Sequence, residues 1–119
     1  MESMLSRRQF FQTGTLAAAL GSVSHAKKLG TIGVQLYTVR NILPEKPGPT
    51  LSALDGIGYR EAEAAVAGLD KIMPSLKATR LKPVSLHLDL QVVLKGQDDE
   101  LARTLNNAKS YGFKYAVFP

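Results

Sequence analysis

The sequence predicts an α/β fold in which parallel strands alternate with amphipathic helices. Three observations predict it. Short segments rich in β-formers or leucine alternate with segments whose apolar residues recur at helical spacing. Glycine and proline fall at the junctions between them. The junctions are also short, which favours right-handed βαβ units and a parallel sheet.

The rhythm starts after Lys27. Residues 32–39 (IGVQLYTV) read as the first strand, with Val34 and Leu36 on one face and Gln35 and Tyr37 on the other. Pro44, Pro47, Gly48 and Pro49 then form a loop, and Pro49 suits the first helical position. Leu51, Leu54 and Ile57 recur on one helical face, and Gly58 is placed to cap that helix. Residues 59–65 (YREAEAA) are the second strand, against the low β-propensity of Ala and Glu.

Leu69, Ile72, Met73 and Leu76 mark a second helix over residues 69–79. Pro74 predicts either a start near Met73 or a place in the first turn. Residues 83–90 (PVSLHLDL) alternate cleanly as the third strand. Val84, Leu86, Leu88 and Leu90 take one face, and Ser85, His87 and Asp89 take the other. Asp98, Asp99 and Glu100 place negative charge at the start of a third helix. Leu101, Leu105 and Ala108 form its stripe, and Gly112 ends it. Residues 115–118 are the fourth strand, giving four strands and three helices.

The N-terminal 26 residues read as an address. Residues 6–11 (SRRQFF) hold Arg7 and Arg8 beside two phenylalanines, followed by a modest apolar run over 13–23. Ser24, His25 and Ala26 supply small residues where a signal peptidase cleaves. The run is shorter than the roughly 20 residues that cross a bilayer, so no stable membrane span is expected. The segment resembles a twin-arginine signal, which implies export through the Tat machinery and a periplasmic or otherwise exported destination. Arg7 and Arg8 are then transport determinants. The alternative is an amphipathic helix of a cytoplasmic protein.

The chain has no cysteine, which excludes a disulfide framework, thiolate metal sites and a cysteine nucleophile. The formal charge is +5, and its basic residues are scattered. A nucleic-acid surface shows a basic patch with interleaved aromatics, and none is visible, so no nucleic-acid partner is expected. No glycine-rich phosphate loop follows the first strand.

Residues 33–40 (GVQLYTVR), 58–63 (GYREAE), 84–87 (VSLH) and 114–119 (KYAVFP), in that order and spacing, resemble the sugar phosphate isomerase/epimerase family of xylose isomerase-like TIM barrels. The resemblance covers residues 30–119. It implies a partial (β/α)8 barrel over residues 27–119, behind a signal peptide over residues 1–26. A complete barrel takes about 200 to 250 residues, against 93 from Lys27 to Pro119. The family's divalent metal is held by carboxylates and a histidine of later strands, which this implies lie beyond Pro119. No metal ligand and no catalytic residue is assigned within the chain.

The resemblance implies substrate-binding roles for four residues near strand C-termini. Glu63 hydrogen-bonds substrate hydroxyls or positions another group. His87 lines the pocket. Gln35 and Tyr37 reach its mouth. Read without the resemblance, Glu63 is a surface glutamate, His87 a structural or exposed histidine, Gln35 an interior polar group and Tyr37 a packing residue under a helix. Asp89 is expected to face a loop.

The expected activity is therefore metal-dependent isomerisation of a sugar or sugar phosphate by proton transfer, with this stretch inactive alone. A non-catalytic half-barrel remnant and a self-pairing binding module are the alternatives. A DNA-processing role on the same fold is disfavoured by the expected export and the scattered charge.

Overall fold

The computed structural model describes residues 29–119. The signal expected over residues 1–26, with Arg7 and Arg8, lies outside them. Four parallel strands form one sheet in the order β1-β2-β3-β4, each pairing with its neighbour in sequence. Among the described residues there are four α-helices, one more than expected, and one 3-10 turn. None of the helices is long and apolar enough to cross a membrane.

β1 (Gly33–Gln35) is shorter than its β-formers suggest. The chain leaves the sheet at Leu36 and winds into a 3-10 turn (Leu36–Val39). Thr38 Oγ1 donates to the Gln35 carbonyl at 2.7 Å, and Arg40 Nη1 donates to the Tyr37 carbonyl at 3.1 Å. The Arg40 guanidinium also lies 4.3 Å over the Tyr37 ring. These local bonds compete with the ladder, so Tyr37 is not on the first strand as its alternation with Gln35 suggests.

α1 (Pro47–Ile57) begins earlier than expected, with both Pro47 and Pro49 in its first turn. Its first backbone bond runs from Thr50 N–H to the Lys46 carbonyl, so neither proline removes a donor the helix needs. Leu51 and Leu54 are buried, whereas Ile57, expected on the same stripe, is 73% exposed in the last turn. Gly58 follows at φ +120, a conformation glycine adopts readily, and redirects the chain toward the sheet.

β2 (Glu61–Ala65) is a strand despite its composition. α2 (Leu69–Lys77) buries all four expected residues, Leu69, Ile72, Met73 and Leu76. Pro74 sits inside it, not in the first turn, and leaves the Asp70 carbonyl without its intrahelical donor. β3 (Lys82–His87) ends three residues sooner than expected. A short α3 (Leu90–Leu94) follows, capped by Asp89, whose carboxylate accepts from Gln91 N at 2.8 Å. Leu90 is therefore a helix residue and lies at the surface.

α4 (Asp98–Tyr111) carries its three acidic residues in the first turn and ends at left-handed Gly112. Of its expected stripe, Ala108 is buried, Leu101 is half-buried and Leu105 is 40% exposed. β4 (Tyr115–Val117) closes the order.

The core lies between the helices and one face of the sheet. Ala62, Ala64 and Leu86 of the strands meet Leu51, Leu54, Ile72, Met73, Leu76 and Ala108 of the helices. Leu51, Met73, Leu76 and Leu86 are almost wholly buried, each worth about 1.5–3 kcal/mol of transfer free energy. At the N-terminal end of the strands, Asp55 ties three segments together. It accepts from Arg60 Nη1 and Arg80 Nε at 2.9 Å each and from Arg80 N at 3.2 Å. The Arg80 N–H first, then the guanidinium groups of Arg80 and Arg60, hold its carboxyl below the ordinary value against the opposing effect of burial.

Candidate functional site

Among the described residues no helix covers the second face of the sheet, and that face is polar. Gln35, Glu63 and Ser85 occupy one transverse row because Gln35 pairs with Glu63 and Glu63 pairs with Ser85. Residues paired across parallel strands share a face. Tyr115 continues the row on β4, and Val117 pairs with His87 one step further on.

A β-bulge assembles this row. Ala62 pairs with Pro83, but the next pair is Glu63 with Ser85, so Val84 is the extra residue. Without the bulge, Glu63 would stand opposite Val84. Pro83 is consistent with this position, since proline lacks an N–H for the ladder of an interior strand and is tolerated at bulges. The loosened backbone is tied to the fourth strand by Lys114 N–H, which donates to the Val84 carbonyl at 2.9 Å.

Glu63 is the centre of the cluster. Gln35 Nε2 donates to its Oε1 at 2.9 Å, and Ser85 Oγ donates to Oε2 at 2.5 Å. The short O–H···O distance is that of a charge-assisted bond. His87 Nε2 makes a close electrostatic contact with Oε1 at 3.0 Å. His87 lies opposite Ala65, whose methyl group leaves room for the ring beside Glu63. The Glu63 and His87 side chains are 28% and 30% exposed, partly withdrawn from water yet open to a ligand.

The structure brings Gln35, Glu63 and His87 together on the open face. Tyr37 is not bonded to them. It stands 61% exposed on the 3-10 turn, at the rim of an open cleft of about 270 Å³ that it lines with Gln35, Glu63, Ala64, Ala65 and His87. It does not pack under a helix. Ser85 was not among the candidates, although its shared face with His87 was legible. The missed signal was Pro83, which marks an irregularity in an interior strand and so a change of pairing parity. Asp89 faces away as a helix cap.

Glu63 and His87 are the two potential metal ligands of the cluster, and both Glu63 oxygens are already engaged. Among the described residues no three His, Cys, Asp or Glu side chains gather closely enough to hold a metal ion. A catalytic zinc takes three protein ligands, and magnesium or calcium takes six or more oxygens including water. The side chains present therefore do not make up the divalent site that the resemblance implies. No known protein family, curated protein or solved structure matches the chain.

Proposed function

We propose that residues 30–119 supply four strands of a (β/α)8 barrel of the sugar phosphate isomerase/epimerase kind, with the open sheet face as one wall of a sugar-binding pocket. One observation carries this reading. Gln35, Glu63, Ser85 and His87 form a connected polar cluster on the uncovered face, toward the C-terminal ends of parallel strands. In (β/α)8 barrels that end is the reactive end. A face meant only for packing would be apolar, whereas fixed donors and acceptors in a partly sheltered cleft suit a ligand rich in hydroxyl groups.

In this reading the chain binds and orients. The cluster offers hydrogen bonds to a sugar, and Tyr37 borders the entrance. The isolated mature chain is expected to show no isomerase turnover. Residues 1–26 act as a twin-arginine export signal in the same proposal. Fusing them to a folded reporter should export it, and replacing Arg7 and Arg8 together with lysine should block export.

The test of the pocket is a titration of ketopentose, ketohexose and their phosphates into the isotope-labelled chain, followed by NMR. Shifts are expected at Gln35, Glu63, Ala65, Ser85 and His87, and not at the start of α4. No shift at these residues, or shifts centred elsewhere, would sink the proposal.

The sheet edges favour a second reading. Among the described residues β1 and β4 each pair on one side alone, and Tyr115 and Phe118 by the β4 edge are 63% and 50% exposed. Unpaired edges recruit partners, and two copies would together make eight parallel strands. Light scattering of the mature chain decides it: a dimer supports self-pairing, and a monodisperse monomer rejects it.

A further inference from the structure

A second cleft, of about 320 Å³, adjoins the first through Tyr37 and Ala65, which line both. Its chemistry is different. The floor is apolar, made by the core residues Leu36, Leu43 and Ile72, and two cations, Arg40 and Lys71, complete the lining. Among the described residues no carboxylate lines this cleft, and neither cation makes an ion pair. Arg40 is held in place. Its Nη1 donates to the Tyr37 carbonyl at 3.1 Å, and its guanidinium lies 4.3 Å over the Tyr37 ring. That bond uses one of five N–H donors. Lys71 stands in the first turn of α2, where the helix dipole disfavours a cation, so helix stability does not account for it. The neighbouring Asp70 carboxylate is engaged elsewhere, accepting from Asn107 and Tyr111 of α4.

We infer that this cleft binds a small organic anion with an apolar body, of the class of monocyclic aryl carboxylates. The ring rests on the floor of Leu36, Leu43 and Ile72, and the carboxylate meets Arg40 and Lys71. Charge complementarity and the apolar floor select this class together. An inorganic anion would leave the floor wet, and a neutral hydrocarbon would leave both cations unused. Guanidinium matches the planar carboxylate through paired N–H bonds. Burial of the ring adds the attraction that two exposed ion pairs lack on their own. The volume is near the lower end for ligand pockets, about 300–1,000 Å³, which suits one ring. The inference does not rest on the sugar-pocket reading, since neither cation belongs to the Glu63 cluster.

The probe is phenylacetate, titrated into the isotope-labelled full chain and followed by NMR, beside phenylacetamide, acetate and inorganic phosphate. Phenylacetate should shift Leu36, Arg40, Leu43, Lys71 and Ile72 and leave Ser85 and His87 unmoved. The other three compounds should bind more weakly. Arg40→Gln and Lys71→Gln should each raise Kd about two- to fivefold, the range of one exposed ion pair, and added salt should weaken binding to the unsubstituted chain. Ala67 lines the cleft from an exposed turn outside the core, so Ala67→Phe should fill the cleft and abolish the response. That variant keeps the test decisive if Arg40→Gln disturbs the 3-10 turn. Phenylacetamide or phosphate binding as tightly as phenylacetate would overturn the pairing of ring and charge. An absence of shifts in the cleft, or a response that survives Ala67→Phe, would overturn the site itself. Sugars that fail to shift Gln35, Glu63, Ser85 and His87 would count against the sugar pocket alone.

Discussion

The two faces of the sheet are made from alternate residues of the same strands, yet they have opposite characters. On the helix side, Ala62, Ala64 and Leu86 are nearly inaccessible and belong to the core. On the open side, Glu61, Glu63, Ser85 and His87 retain partial exposure, and the last three are joined to one another and to Gln35. Stability is concentrated on one face and hydrogen-bonding capacity on the other. The effect of a substitution in β2 or β3 should therefore follow the parity of the position.

The strongest test of that contrast is Leu86→Ala. The side chain is 0% exposed, and removing it should cost about 2–5 kcal/mol through lost transfer free energy and the cavity left behind. Urea denaturation measures it, and a cost near zero would break the distinction between the faces. Asp55→Asn should have a smaller effect with a pH signature. The depressed carboxyl contributes stability that is present above its unfolded value, near 3.8, and lost as pH falls through the lower folded value. The variant should be less stable at neutral pH and show a flatter acid limb of stability against pH.

One residue along from the core side, Glu63→Gln should cost about 1 kcal/mol or less and abolish the NMR shifts that the proposed sugar pocket predicts. A large stability loss with binding intact would reverse the roles assigned to the two faces. The smallest expected effect is that of Tyr111→Phe. Tyr111 donates to Asp70 Oδ1 at 2.7 Å, linking α4 to α2. That bond, with burial and the Asp70 charge, raises the phenol above its ordinary 10.0. Its contribution is complete below about pH 10 and fades as pH rises through the folded value. The variant should lose that alkaline dependence, leaving the open face undisturbed.

Much of this division was legible in the amino-acid sequence. The alternation of residues 84–88 placed Leu86 inward and Ser85 and His87 outward, and helical spacing identified the buried face of α2. The fourth α-helix was hidden because Leu90 continues the period-two pattern of Leu86 and Leu88. Its signal is Asp89 acting as a cap, a local bond that pattern reading passes over. The 3-10 turn was hidden for a similar reason. Tyr37, Thr38 and Val39 favour strands intrinsically, but Thr38 bonds back to Gln35 and closes a turn. Ile57 and Leu105 satisfy helical periodicity, yet their helices contact the core through other turns. Periodicity describes one element at a time, and these outcomes depended on caps and on neighbouring elements.

The bulge at Val84 has a genetic consequence. Because one residue there has no partner on β2, an in-frame deletion of codon 84 restores a regular ladder in which Glu63 still meets Ser85 and Ala65 still meets His87. Deleting codon 86 instead slides the imidazole into the slot left by leucine and turns it toward the helices. Two deletions of equal length, two codons apart, should thus give one protein that retains its fold and ligand response and one that loses both. β3 holds a single codon of slack, placed just ahead of the residues whose orientation matters most.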